Sequence, residues 1–220
     1  MDAFKNFASC IRTKMQTPIL PGEIAQFTMA PASRKAELKT PATNPRESAV
    51  MVAFFAKNNK PHLIMIKRAA DNSVHSGQIS FPGGKSEITD ISLKETALRE
   101  TEEEIGIPEQ QIEVIGKLSS LYIPPSNFCV MPYVGLIESE PFFVTNQEVD
   151  RLLIIDWECL LRPENTTYKY IKYRSGNIKV PCFLIHGEVI WGASAMILAE
   201  LVYLLSPHCR LNTSEMLNFG

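Results

Sequence analysis

The chain has 220 residues, 45% hydrophobic and 21% charged, enough for one globular domain with a large core and unlike disordered, collagenous or disulfide-stapled chains. With 24 acidic against 22 basic residues the net charge is −2, so there is no general positive field to hold nucleic acid, and partners must be recognised locally. Cys10, Cys129, Cys159, Cys182 and Cys209 are scattered without a CxxC pair, which points to reduced thiols in a cytoplasmic protein, not a zinc cluster or disulfide framework.

Phe4, Phe7, Ala8, Ile11 and Met15 recur at helical spacing and predict an amphipathic helix over 2–16, its apolar face covering the domain or making a homodimer contact. Residues 17–47 contain Pro18, Pro21, Pro31, Pro41 and Pro45 and are expected to run extended over the surface. Two apolar runs, Ala49 to Phe55 and Leu63 to Ile66, flank the turn-rich Lys57-Asn58-Asn59-Lys60-Pro61 and read as neighbouring buried strands. Further strands are expected at 112–121, 129–137, 152–157, 168–173 and 180–185, with helices at 93–105 and 192–205. The apolar run 189–205 contains Gly192 and Glu200 and suits a core helix better than a membrane span, so no membrane partner is expected. The pattern implies an N-terminal helix and arm, 1–47, before an α/β domain with a mixed sheet, 48–220.

The most informative stretch runs from Gly83 to Ile107. Ser92 followed by Glu95 forms a capping box, Gly106 suits a left-handed C-cap and Pro108 blocks continuation, predicting a helix over about 93–105. Leu93, Ala97, Leu98, Thr101 and Ile105 then share the core side, and Glu100, Glu103 and Glu104 converge on the adjoining strip, with Glu102 pointing elsewhere. Like charges at these spacings repel, so a positive group should sit among them, and a hard divalent cation such as Mg²⁺ or Mn²⁺ takes oxygen ligands of this kind. A merely solvated acidic face is the plainer alternative.

Arg99-Glu100-Thr101-Glu102-Glu103-Glu104-Ile105-Gly106-Ile107 resembles the second half of the Nudix box. The first half departs from the usual pattern: with five residues between them, Gly84 is followed by Asp90 instead of Glu, and eight residues instead of seven separate it from Arg99. These departures resemble the coenzyme A diphosphatase branch of the Nudix hydrolases. The likeness continues in His62 to Arg68, His75 to Gly84, Leu121 to Phe128, Val130 to Gly135, Asn146-Gln147-Glu148-Val149 and Ile190 to Ala195, covering about 46–205.

The resemblance implies a Nudix-type α/β/α sandwich around a mixed sheet, and metal-dependent hydrolysis of the diphosphate of coenzyme A or its derivatives, giving 3′,5′-ADP and 4′-phosphopantetheine. ADP-ribose or NADH hydrolysis, and nucleotide sensing without hydrolysis, are the alternatives. It implies Glu100, Glu103, Glu104 and the Gly84 carbonyl as ligands of Mg²⁺ or Mn²⁺, and places Glu148 on the family's late acidic loop, where it could activate water. Arg99 is expected to orient the glutamates, with Glu100 sharing in water activation. Lys67 and Arg68 are candidates for substrate phosphate, against the reading of an edge-strand charge pair, and His75 reads as a packed or capping residue.

Overall fold

Residues Arg46–Lys57 alternate between two buried faces, as a central strand requires: Ala49, Met51, Ala53 and Phe55 enter one apolar cluster, and Val50, Val52 and Phe54 the other. This strand, β1, organises the computed structural model, which describes residues 3–17, 19–32, 44–70, 75–173 and 176–205. Along one edge β1 pairs in parallel with β7 (Phe128–Ile137), from Arg46↔Phe128 to Phe55↔Ile137. Its other edge is shared. β4 (Gly83–Lys85) pairs with residues 48–50 and β2 (Lys60–Arg68) with residues 54–57, both antiparallel. The β1–β2 hairpin turns at Asn58 and Asn59, both at positive φ (49° and 62°), which asparagine tolerates.

Beyond β2 lie β3 (Ile79–Ser80) and β8 (Val149–Asp156); beyond β7 lie β5 (Glu113–Lys117) and β6 (Leu121–Ile123), completing a mixed sheet. A second, antiparallel sheet joins β9 (Thr166–Tyr173), β10 (Gly176–Ile185) and β11 (Glu188–Trp191). Helices cover both faces of the larger sheet. Ala97, Leu98 and Ile105 of α3 (Leu93–Ile105) pack on Met51, Ile64 and Ile66. α1 (Ala3–Met15) and α5 (Gly192–Leu205) pack on the face formed by Val52, Phe54, Leu63 and Met65, so the architecture is an α/β/α sandwich.

The apolar stripe of α1 is covered within its own chain. Phe4, Ala8 and Ile11 are buried, and the Phe7 ring lies 4.9 Å from Phe54 and 5.8 Å from Trp157, which opens α4 (Trp157–Leu160). Two expectations need correction. The segment after α1 is not wholly extended: Glu23–Gln26 forms a short α2 and Phe27–Met29 a 3₁₀ turn, with Ala25, Gln26 and Met29 buried. The cause is Glu200 of α5, whose carboxylate accepts from Gly22 N (3.1 Å) and Gln26 Nε2 (2.8 Å). Residues 33–43 of that arm, and Pro18, lie outside the described residues.

The strand expected at 112–121 is broken between β5 and β6, where Ser119 N–H turns inward to the same Glu200 carboxylate at 3.2 and 3.3 Å. The helix expected over 192–205 is found at Gly192–Leu205, opening at Gly192 (φ 63°), while the residues of the apolar run that precede it belong to β11. Among the described residues no helix is long and apolar enough to cross a membrane.

Candidate active site

α3 spans the residues that its sequence signals delimit. Ser92 Oγ accepts from Glu95 N at 3.3 Å, and Gly106, at φ 73°, donates its N–H to Glu102 O at 2.9 Å, closing the last turn in a conformation that a side chain disfavours. The capping box differs in one detail: Glu95 Oε2 accepts from Ile91 N at 2.8 Å, one residue before the N-cap.

Thus fixed, α3 lies along Gly83 and Gly84 at the start of β4. A Cβ at Gly84 would stand 2.4 Å from the Glu100 carboxylate, so only glycine lets the backbone approach it so closely. Glu104, 2% exposed, accepts from Gly83 N at 2.9 Å, and burial pushes its carboxyl up to about 7. Glu100 is also raised, chiefly by burial, against the attraction of Arg99. Glu148 and Glu100 add their charges to the pressure on Glu104, as Glu103 and Glu148 do on Glu100, which makes this one electrostatic cluster.

Two arginines bind the cluster together. Arg99 forks onto Asp90, Nε to Oδ1 at 2.9 Å and Nη2 to Oδ2 at 3.0 Å, while Nη1 reaches Glu100 (3.1 Å) and Glu103 (3.2 Å). Asp90 also accepts from Glu87 N and Thr96 Oγ1, and the Arg99 guanidinium holds its carboxyl well below the usual range. The Asp that departs from the usual box is therefore the anchor of the arginine that orients two of the glutamates, a role sequence reasoning missed. Its only signal was that departure itself. Arg68 stands between Glu104 and Glu148, at 3.4 Å from each. Glu148 reaches this position because Asn146 N donates to Glu104 O and Ala69 N to Glu148 O, tying its loop to the ends of α3 and β2.

The structure brings Glu100, Glu103, Glu104, Gly84, Arg99, Arg68 and Glu148 to one place, with Glu103 the most exposed of the helix trio and Glu102 outside it. The three glutamates do not meet at one point: among the described residues no three His, Cys, Asp or Glu side chains gather closely enough to enclose a metal ion. Arg68 and Arg99 draw them towards separate partners. Lys67 is not brought to the cluster. It pairs with Glu188 at 3.5 Å, a carboxylate that Arg151 also engages, on the side of the strand opposite Arg68, and pairing with β8 skips a residue between Lys67 and Arg68. His75 Nδ1 lies 3.2 Å from Gln78 Oε1.

A cleft of about 360 Å³ opens from this cluster. Arg68, Gly83, Gly84 and Lys85 form one end; Ile123, Ser126 and Phe128 lie at the other, and Trp191 to Ser194, at the start of α5, form a wall. Its size falls in the range of small-molecule sites.

A family model described as the NUDIX domain matches residues 45–167. The chain is 36% identical over 166 residues to an uncharacterized Nudix hydrolase, NudL, of Yersinia pestis (strain Pestoides F), covering 75% of this chain and 82% of that one. The NudL of Yersinia pseudotuberculosis serotype O:1b (strain IP 31758) matches at the same identity and coverage. A solved MutT/nudix family protein from Enterococcus faecalis superposes with a TM-score of 0.49 at 17% identity, over 83% of this chain and 71% of that one.

Proposed function

The chain belongs to the Nudix family of hydrolases, and from that premise we propose that it cleaves the diphosphate of coenzyme A or its derivatives to 3′,5′-ADP and 4′-phosphopantetheine. The coarser statement, a hydrolase of diphosphate bonds in nucleoside diphosphate derivatives, follows from the family. The finer one rests on a single observation. The sequence blocks that resemble the coenzyme A branch are far apart in the chain, yet Arg68, residues between His75 and Gly84, the 123–130 turn and residues 191–194 all line one cleft beside the glutamates.

The donors fit Mg²⁺ or Mn²⁺: all are hard oxygens, Glu104 is a buried carboxyl raised by burial and by neighbouring charge, and the bare Gly84 backbone lies against Glu100. Glu100, Glu103, Glu104 and the Gly84 carbonyl would hold the cation. When bound, such a cation neutralises the diphosphate oxygens and lowers the pKa of attacking water. The chain's own residues do the rest. Arg99, locked on Asp90, fixes the rotamers of Glu100 and Glu103; Arg68 is freed from Glu104 and Glu148 to bind a substrate phosphate; Glu100, aided by Glu148, takes the proton of the water that attacks phosphorus as the phosphoanhydride P–O bond breaks.

Lys67, held on Glu188, is not assigned to phosphate. Residues 1–47 are read as an extension of the hydrolase domain 48–220, supported by the packing of α1 on the sheet. A reducing, cytoplasmic setting is supported by the unpaired Cys10, Cys129, Cys159 and Cys182.

A product-resolved assay with Mg²⁺ or Mn²⁺ across CoA, acyl-CoAs, ADP-ribose, NADH and nucleoside triphosphates tests the reading. CoA or an acyl-CoA should show the highest kcat/KM. Faster cleavage of ADP-ribose or NADH would reassign the substrate, and binding without metal-dependent turnover of any of them would make the domain a sensor.

A further inference from the structure

Two side-chain hydroxyls of the described residues, Ser80 Oγ and Ser126 Oγ, are buried without a hydrogen-bond partner, and both belong to residues lining the same cleft. Buried hydroxyls are ordinarily paired, because leaving one unmade is destabilising. The backbones that carry them are fixed. Ser80 is paired with Ile66 of β2, and Ser126 donates its N–H to Ile123 O and accepts at its carbonyl from Arg46 Nη2 at 2.7 Å. The same Arg46 lies 4.1 Å over the Phe128 ring and braces that end of the cleft from outside. Both serines therefore combine fixed backbones with unpaired hydroxyls, and since each hydroxyl is itself closed off from solvent, a rotation about χ1 is what turns it into the cavity that both residues line.

The charge along the cleft says which part of a substrate could satisfy them. The register sets β4, β1, β7 and β6 side by side, through Lys85↔Ser48↔Val130↔Leu121, so the cleft crosses the sheet from the diphosphate end to the β6–β7 turn. Its formally charged lining residues among the described ones, Arg68 and Lys85, lie at the diphosphate end, and beyond them the walls are Val50, Val130, Phe128, Ile123 and Ile197. Among the described residues that line the far end none is a cation, the Arg46 guanidinium being engaged behind it by Ser126 O and the Phe128 ring, and apolar walls with a few fixed polar groups suit a neutral chain that carries hydrogen-bonding groups.

We propose that the cleft holds the uncharged, amide-bearing arm of the substrate, with Ser80 and Ser126 as its specificity-determining hydrogen-bond partners, and that the phosphorylated nucleoside lies outside it. A hydroxyl both donates and accepts, so each serine can meet an amide C=O or N–H. The proposal rests on the coenzyme A reading and names how that substrate is oriented.

The test uses the full chain and Ser80→Ala, Ser126→Ala and the double variant. Titration calorimetry with 4′-phosphopantetheine and, separately, 3′,5′-ADP reads binding without turnover, and thermal denaturation reads the ligand-free protein. Each alanine variant should melt at or above the parent temperature, since it loses a buried unpaired group. Each should bind 4′-phosphopantetheine at least fivefold more weakly, keep 3′,5′-ADP affinity within twofold, and lose a similar factor in kcat/KM for CoA.

Unchanged 4′-phosphopantetheine affinity in the double variant would overturn the proposal, as would a loss confined to 3′,5′-ADP. If the parent cleaves CoA best and the variants still behave like it, only this inference fails. If the parent binds neither fragment and prefers ADP-ribose, the coenzyme A reading fails and takes this inference with it.

Discussion

Two glutamates are buried among the described residues, Glu104 on α3 at 2% exposure and Glu200 on α5 at 0%, and their surroundings differ in kind. Glu200 meets donors on every side: the N–H groups of Gly22 and Ser119 and the Gln26 amide share its carboxylate, and they tie α2, the β5–β6 link and α5 into one structure. Glu104 has one close donor, Gly83 N–H, a longer contact to Arg68, and two other carboxylates near enough to push its pKa up. Burial alone therefore says little about what a carboxylate does. A full set of neutral donors marks a structural joint, and an incomplete set among like charges marks a place built to receive something positive.

The largest expected effect breaks the structural half of this contrast. Glu200→Ala leaves several buried donors unpaired, each costing about 1–3 kcal/mol, and should lower the unfolding free energy by about 3–4 kcal/mol in denaturant titration. Turnover per folded molecule should change far less. A stability loss under about 1 kcal/mol would show that the donors find other partners and that the joint is dispensable.

The catalytic half is broken by Glu104→Gln. Turnover should fall about a hundredfold or more, while the metal-free protein should melt at the same or a higher temperature because a charge leaves the cluster. Glu102→Gln, on the exposed side of the same helix, should leave both unchanged. Equal losses at 102 and 104 would contradict the helix face on which the site is built.

The contrast is sharpened by pH. Glu104 titrates near 7 in the folded, metal-free chain against an ordinary value of 4.5, so the folded state binds this proton more tightly than the unfolded one. Its contribution to metal-free stability is therefore greatest at low pH and declines as pH rises from 4.5 through about 7. A cation must displace the same proton, so apparent Mg²⁺ affinity should rise through that range, with proton release measurable by calorimetry in buffers of different ionisation enthalpy. Glu104→Gln should flatten both profiles; a pH-independent affinity in the parent would refute the assignment.

The smallest effect sets the scale for charges at the surface. Arg12 pairs with Glu113 where both side chains are about half exposed, and Arg12→Ala should cost about 0.2–1 kcal/mol, less at high salt.

What could be read in advance follows the same division. α3 was legible to its terminal residues because Ser92, Gly106 and Pro108 act locally, and the helix strip of Glu100, Glu103 and Glu104 followed from periodicity. The roles of Lys67 and Arg68 could not be separated, since neighbouring residues on a strand face opposite ways and only the partner strands decide which side meets α3. Asp90 was visible only as a departure from a pattern, because its meaning depends on Arg99 folding back onto it. The short α2 and the break between β5 and β6 were hidden because both are set by Glu200, a residue remote from them in the chain. β11 was lost in an apolar run whose change of direction occurs at Gly192.

The seating of α1 bears on the order in which the molecule can be made. Phe7 rests on Phe54 and Trp157, and Phe4, Ala8 and Ile11 share their cluster with residues of α5, so α1 is synthesised well before the residues that complete its resting place. Until then its greasy stripe is incompletely covered, and a nascent chain stalled before residue 157 offers the helix only part of its seat. The interval between synthesis of α1 and synthesis of α5 is therefore when that stripe is most open to chaperone capture.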